Sequence, residues 1–135
     1  MKGQIRYMNP ATLHNNPAFS QIAITEGSGK TVYIGGQNAV NAKGEVIGKG
    51  DIAAQTEQAM QNVQTALEHS GAGWENVVKL SIYILQGQDH LKGFQASRKF
   101  MQSSTNQPTV TVLFVARLGN PDFLLEIEAI AFIPA

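Results

Sequence analysis

The sequence predicts an α+β domain: a mixed sheet with two helices packed on one face. Three observations point there. Short β-type runs open and close the chain, two helical patterns lie between them, and a β-rich run separates the helices, giving the order β-β-β-α-β-α-β-β. The 135 residues read as a single domain, 1-135, long enough to bury a core without disulfides or a metal.

Taken in order, Gln4 to Asn9 reads as a short edge strand ended by Pro10 and the polar stretch Thr12 to Asn16. Phe19 to Thr25 alternates, with Phe19, Gln21, Ala23 and Thr25 on one face. Glu26-Gly27-Ser28-Gly29 is a turn signal before Thr31 to Gly35, so these two runs are expected to pair as an antiparallel hairpin. Gly35-Gly36 ends a β-branched strand, which suggests a bulge, a close approach of ligand or backbone, or a bend out of the sheet. Asn41 to Gly50 is a glycine-punctuated loop with room for a short strand at Glu45 to Ile47. Asp51 is the expected N-cap of a helix. Its apolar stripe runs through Ile52, Thr56, Ala59, Met60, Val63, Ala66 and Leu67, and Gly71 is placed to end it. Glu57, Gln58, Gln61, Gln64 and Glu68 form the solvated face. Trp74 reads as a packing anchor before the strand Val77 to Leu85. A second helix is expected from about Asp89 to Ser103, with Leu91, Phe94, Arg98 and Met101 near one side.

Pro108 to Ala131 holds two apolar β-type runs around a turn. In the second run Glu126 and Glu128 share a face with Leu124, Ile130 and Phe132, while Leu125, Ile127, Ala129 and Ala131 take the other. Neither face reads as solvent. A carboxylate on a face that also buries apolar groups must be paired, hydrogen-bonded or protonated.

Ten basic against ten acidic residues give no net charge, which disfavours a nucleic-acid partner. At 15% charged residues, against roughly 25% in average domains, the chain has surface to hide in an oligomer. It has no cysteine, which removes disulfides, thiolate nucleophiles and zinc-thiolate sites and fits a reducing compartment, the cytoplasm. No run reads as an export signal or a membrane span. His14, His69 and His90 have no metal-ligand spacing, so no metal and no cofactor are assigned. There is no G-x-S-x-G, and Gly27-x-Gly29-Lys30 lacks full P-loop spacing, so it reads as turn chemistry.

Several motifs together resemble the Rid/YjgF family of reactive-intermediate deaminases, nearly end to end. They are Phe19-Ser20-Gln21, Gly35-Gly36-Gln37, Gln55-Thr56 with Asn62, Val77-Val78-Lys79, Pro108, and the closing Glu126-Ile127-Glu128-Ala129-Ile130-Ala131. The resemblance implies the chorismate-mutase-like fold, a homotrimer whose three sheets close into a central barrel, and hydrolysis of enamines and imines in clefts between subunits. Glu126 matches the family glutamate that orients or activates the attacking water; apolar neighbours would favour its protonated form, which suits a general acid or base. The alternative is that Glu126 is structural, paired with a neighbouring subunit or with backbone amides. Glu128 reads as structural.

The departures fall on the residues that hold substrate. The family arginine two residues after the proline, which grips the substrate carboxylate, is Val110 here. Losing such a contact costs about 2 to 5 kcal/mol, or roughly thirty- to several-thousand-fold in affinity. Arg117, at odd spacing from Val110, is expected on the other face of the same strand. The family tyrosine becomes Phe19, its serine Gly35, and an asparagine of its second helix aligns with Phe94, with the Met101 to Pro108 segment one residue shorter. The ligand-binding set implied is Phe19, Gly35, Gly36, Gln37, Phe94, Val110 and Val112, with Glu126 as the catalytic candidate. Weak or absent activity on standard 2-imino acids is therefore expected. Three readings stand: imine- or enamine-type hydrolysis of a small non-standard ligand, a non-catalytic binding or interaction trimer, and, with least support, the ribonuclease or translation inhibitor of older family labels. Lacking a basic stripe, an aromatic platform in a basic groove and a histidine pair, the chain gives the last little to work with.

Overall fold

The computed structural model describes residues 1–102 and 105–135. Six strands and two helices follow in the expected order: β1 (Gln4–Met8), β2 (Ile22–Glu26), β3 (Gly29–Gln37), α1 (Ile52–His69), β4 (Val77–Leu85), α2 (His90–Met101), β5 (Thr109–Val115) and β6 (Leu125–Pro134). A one-turn 3₁₀ helix, Trp74–Asn76, leads into β4.

The main sheet has the order β3-β6-β4-β5. β6 runs antiparallel to both β3 and β4, and β4 runs parallel to β5. β3 and β4 therefore point the same way on either side of β6. Parallel strands cannot be joined by a tight turn, so the chain crosses over through α1 and then α2. Both helices lie on one face, as expected.

The hairpin expected between the second and third strands does not form. β2 pairs with β1 in a separate two-stranded sheet, and β3 pairs with β6. Gly27, at φ +75°, does make the turn. Around it the Ser28 N–H donates to the Met1 carbonyl, and the Ser28 carbonyl accepts from the Ala135 N–H, so the turn is tied to both ends of the chain. The local turn signal was sound, but the pairing went to the long apolar β6. β2 is also shorter than expected: Phe19 and Ser20 precede it, and the Ser20 hydroxyl donates to the Gln107 carbonyl at 2.6 Å.

α1 starts where Asp51 caps it, its carboxylate accepting from the Ala54 N–H at 3.1 Å, and ends before Gly71 at φ +81°. Its buried stripe, including Met60, Val63 and Leu67, packs on Ile34, Leu125, Ile127, Ala129 and Ala131 to make the core. Trp74 anchors the edge of this core, its indole N–H donating to Gln64 and its ring edge-on to Phe100. Gln64, placed on the solvated face by its periodicity, is drawn into structure by that bond. α2 is capped by Asp89, and its expected end at Ser103 lies outside the described residues, as does part of the shortened segment before Pro108. The only buried residue of α2 is Gly93, where a Cβ would stand 3.1 Å from the Thr56 hydroxyl. α2 thus leans on α1 and overhangs β4 and β5 without closing onto them. The strand expected at Glu45 to Ile47 is reduced to a single bridge, Val40 to Val46. No helix among the described residues is long and apolar enough to cross a membrane.

Candidate functional site

The overhang of α2 leaves an apolar cavity of about 760 Å³ between the helices and the sheet. Leu80, Ile82 and Ile84 of β4 and Val110 and Val112 of β5 form its floor, because the parallel register sets Leu80 beside Val110 and Ile82 beside Val112. Leu125 and Ile127 of β6 extend that floor, Phe94 of α2 hangs over it, and Phe19 closes one end. Four residues of the candidate ligand-binding set, Phe19, Phe94, Val110 and Val112, therefore meet in one space. Among the described residues no carboxylate lines it.

The rest of the set lies on the other face of the sheet. β6 alternates, so Leu125 and Ile127 turn toward the helices while Glu126, Glu128 and Ile130 turn away and remain half-exposed. Both faces of this strand were expected to be covered; within one chain the helix face is covered from Leu125 to Ala131, and the other only at its ends, at Leu124 and Phe132. The β3 register slips between Ile34 and Gln37, a β-bulge centred on Gly35-Gly36. A Cβ on Gly36 would overlap the Glu126 carboxylate, whereas one on Gly35 would meet open space. The close approach suggested by the glycine pair is that of the Glu126 side chain itself.

Asn38, just past the bulge, holds that carboxylate. Its side-chain amide donates to the Leu125 carbonyl at 3.0 Å and to Glu126 Oε1 at 3.3 Å. Asn62 of α1 supports the same loop by donating to the Asn38 and Val40 carbonyls at 3.0 and 2.9 Å. Gln55 is fully buried and clamps the approach to β6: it donates to the Gly48 and Asp122 carbonyls and accepts from the Leu124 N–H at 2.9 Å. Gln55 and Asn62 entered the sequence reading only as part of the family resemblance; their role as backbone clamps is visible in the structure alone. Asn38 was missed, and its one signal was its place directly after Gly35-Gly36-Gln37.

Tyr83 was also missed. It stands opposite Glu126 on β4, and its hydroxyl donates to Glu128 Oε1 at 2.8 Å. That hydrogen bond, with lesser help from desolvation and the nearby negative charges of Glu128 and Glu126, pushes the phenol above the ordinary tyrosine range. Glu128 thus has a partner inside the chain. Arg117 lies beyond the end of β5 and is exposed, not on the back face of that strand. Among the described residues no three His, Asp or Glu side chains are grouped to hold a metal ion.

Comparison with known proteins fits this fold. The Endoribonuclease L-PSP family model matches residues 10–133. A RutC family protein of Pyrococcus horikoshii, PH0854, is 33% identical over 105 residues, 78% of this chain and 81% of its own. A 2-iminobutanoate/2-iminopropanoate deaminase of Dermatophagoides farinae is 32% identical over 105 residues, 78% of this chain and 80% of its own. Among solved structures, the conserved Rid family protein YyfB of Yersinia pestis superposes with a TM-score of 0.84 at 32% identity, covering 94% of this chain and 97% of that one. The YjgF gene product of E. coli, also 32% identical, gives a TM-score of 0.66 over 75% of this chain and 79% of its own. The chain belongs to the Rid/YjgF family, the one that carries the Endoribonuclease L-PSP label.

Proposed function

We propose that this chain works as a homotrimer in which the two half-sites of the sheet meet across subunit interfaces. Gly35, Gly36, Gln37 and Glu126 of one subunit would face the apolar cavity of the next, built on Phe19, Phe94, Val110 and Val112. The observation that carries this reading is the separation itself: the positioned carboxylate and the ligand-sized cavity lie on opposite faces of one sheet, and only a second copy can bring them together. A homotrimer would also cover the apolar residues that β5 leaves exposed, Leu113 and Phe114 among them.

In the composite cleft the reaction is hydrolysis of a C=N bond. Glu126 takes a proton from water as its oxygen attacks the imine carbon and returns it to the nitrogen, giving a carbinolamine; it then passes the hydroxyl proton to the nitrogen as the carbon–nitrogen bond breaks, leaving a carbonyl and ammonia or an amine. An enamine enters the same path after protonation to the imine. The D. farinae relative's printed name supports this chemistry. Val110 argues against the same substrate, because nothing on β5 can grip a carboxylate beside the imine. The trimer is proposed to work in the cytoplasm on a small ligand other than a standard 2-imino acid.

The hydrogen bond from Asn38 to Glu126 supports a second reading, a non-catalytic trimer whose carboxylate fixes the bulge. Ammonia release from freshly generated imines, with and without an acidic α-substituent, separates the two. Turnover of a neutral imine that Glu126→Gln abolishes, in a variant that stays trimeric by light scattering, is the result expected of the enzyme. If Glu126→Gln loses the trimer and no imine turns over in the parent chain, the non-catalytic reading holds.

A further inference from the structure

Arg98 stands at the rim of the apolar cavity. It follows Phe94 by one helical turn and His90 by two, so the three side chains share a row along the edge of α2 above the opening. Arg98 is exposed and makes no ion pair among the described residues. Its neighbour Lys99 pairs with Glu57, Arg6 with Glu26 and Lys49 with Asp122. Among the described residues the cavity lining contains no Asp or Glu, and the hydroxyls of Thr56 and Ser97 donate back to the Ile52 and Phe94 carbonyls. Among the described residues the space therefore offers a ligand one committed charge, positive, at its mouth, and a mostly apolar wall, with Asn16, His90, Gln102 and Gln107 as its other polar lining. Its volume, about 760 Å³, lies within the roughly 300–1,000 Å³ of pockets that enclose small organic ligands.

We infer that the cavity binds a monocarboxylate with an extended apolar body, aliphatic or arylalkyl, its carboxylate on the Arg98 guanidinium and its body laid over Leu80, Ile82, Val110 and Val112. The cation that β5 lacks at Val110 is supplied from α2 at the opposite end of the ligand, so the acid head points outward and the hydrocarbon inward. This assignment rests on reading the cavity as the ligand cleft.

Calorimetric titration with octanoate, octanol and octylammonium tests it, on the full chain and on Arg98→Gln. Octanoate binds about tenfold or more tighter than octanol, the weight of a charge-assisted contact at a partly solvated site. Arg98→Gln brings octanoate down to the level of octanol and leaves octanol unchanged, while octylammonium is the weakest of the three. Added salt weakens octanoate alone. Val112→Glu, which puts a carboxylate in the wall, abolishes octanoate binding; retention there would place the ligand outside the cavity and overturn the assignment. Equal binding of octanoate and octanol, indifferent to Arg98→Gln, overturns the role of Arg98 while leaving an apolar cleft in place. Failure of all three probes overturns both the assignment and the cleft reading beneath it.

Discussion

The two faces of β6 are held by different forces. Toward the helices, Leu125, Ile127, Ala129 and Ala131 are buried by α1 and by one another, and their burial is complete within one chain. Away from the helices, Glu126 and Glu128 are held by polar contacts to Asn38 and Tyr83, and the face around them stays half-open. Apolar burial is non-directional and needs only volume, so one face tolerates any well-filled arrangement. The polar face depends on geometry: an amide placed by a bulge, and a glycine where a side chain must pass. One strand thus separates stability from chemistry, with the fold resting on its odd-numbered residues and the candidate reaction on an even-numbered one.

The sharpest way to break this division is to remove bulk from the buried face. Ile127 is 1% exposed, so Ile127→Ala is expected to cost about 2–5 kcal/mol in a denaturant titration. Glu128→Gln on the opposite face should leave the midpoint nearly unchanged. An equal loss from both would end the distinction. The next effect is one of specificity. Val110→Arg restores a guanidinium on the cavity floor and should raise kcat/KM for 2-iminobutanoate about thirtyfold or more, while weakening binding of uncharged apolar ligands. No gain would mean that the carboxylate of a 2-imino acid does not reach β5 in this cleft.

A smaller effect is expected at the bulge. Gly36→Ala forces the Glu126 carboxylate aside, costing about 1 kcal/mol in stability and depressing imine turnover as Glu126→Gln does. Turnover at the parent rate in Gly36→Ala would show that the carboxylate's position does not matter.

The smallest effect concerns Tyr83. Because the Glu128 hydrogen bond raises its pKa in the folded chain, the folded state keeps the phenolic proton longer than the unfolded state does. The resulting stabilisation is fully present below the ordinary tyrosine value of about 10 and is lost as the pH rises through the raised one. Ultraviolet titration of the phenolates should find two tyrosines ionising late, Tyr83 and Tyr7, the second raised by burial alone, and Glu128→Gln should bring down only the Tyr83 step. A titration identical in the two proteins would sever Tyr83 from Glu128.

Legibility in the sequence followed the range of the interaction. The N-cap at Asp51, the stop at Gly71, the turn at Gly27 and the bounds of β4 are local, set by dihedral preference and hydrogen bonds within a few residues, and each stands where the pattern put it. Period-two alternation also sorted Glu126 and Glu128 from Leu125 and Ile127 correctly. It could not show which of the two faces the helices would cover.

What the sequence determined by itself, then, was the α+β class, the order of elements, family membership through its scattered motifs, and the absence of an arginine at Val110. What tertiary structure alone decided was which strands pair and what meets what. β2 left β3 for β1, because the apolar β6 could bury more by taking β3 and β4 as neighbours than a local hairpin could. Phe19, Phe94, Val110 and Val112, scattered along the chain, converged on one cavity, while Glu126 was carried to the far side of the same sheet and pressed against Gly36. These are contacts between residues dozens of positions apart. Their free energy comes from filling one shared volume, a property of all the packed elements together that no local pattern records.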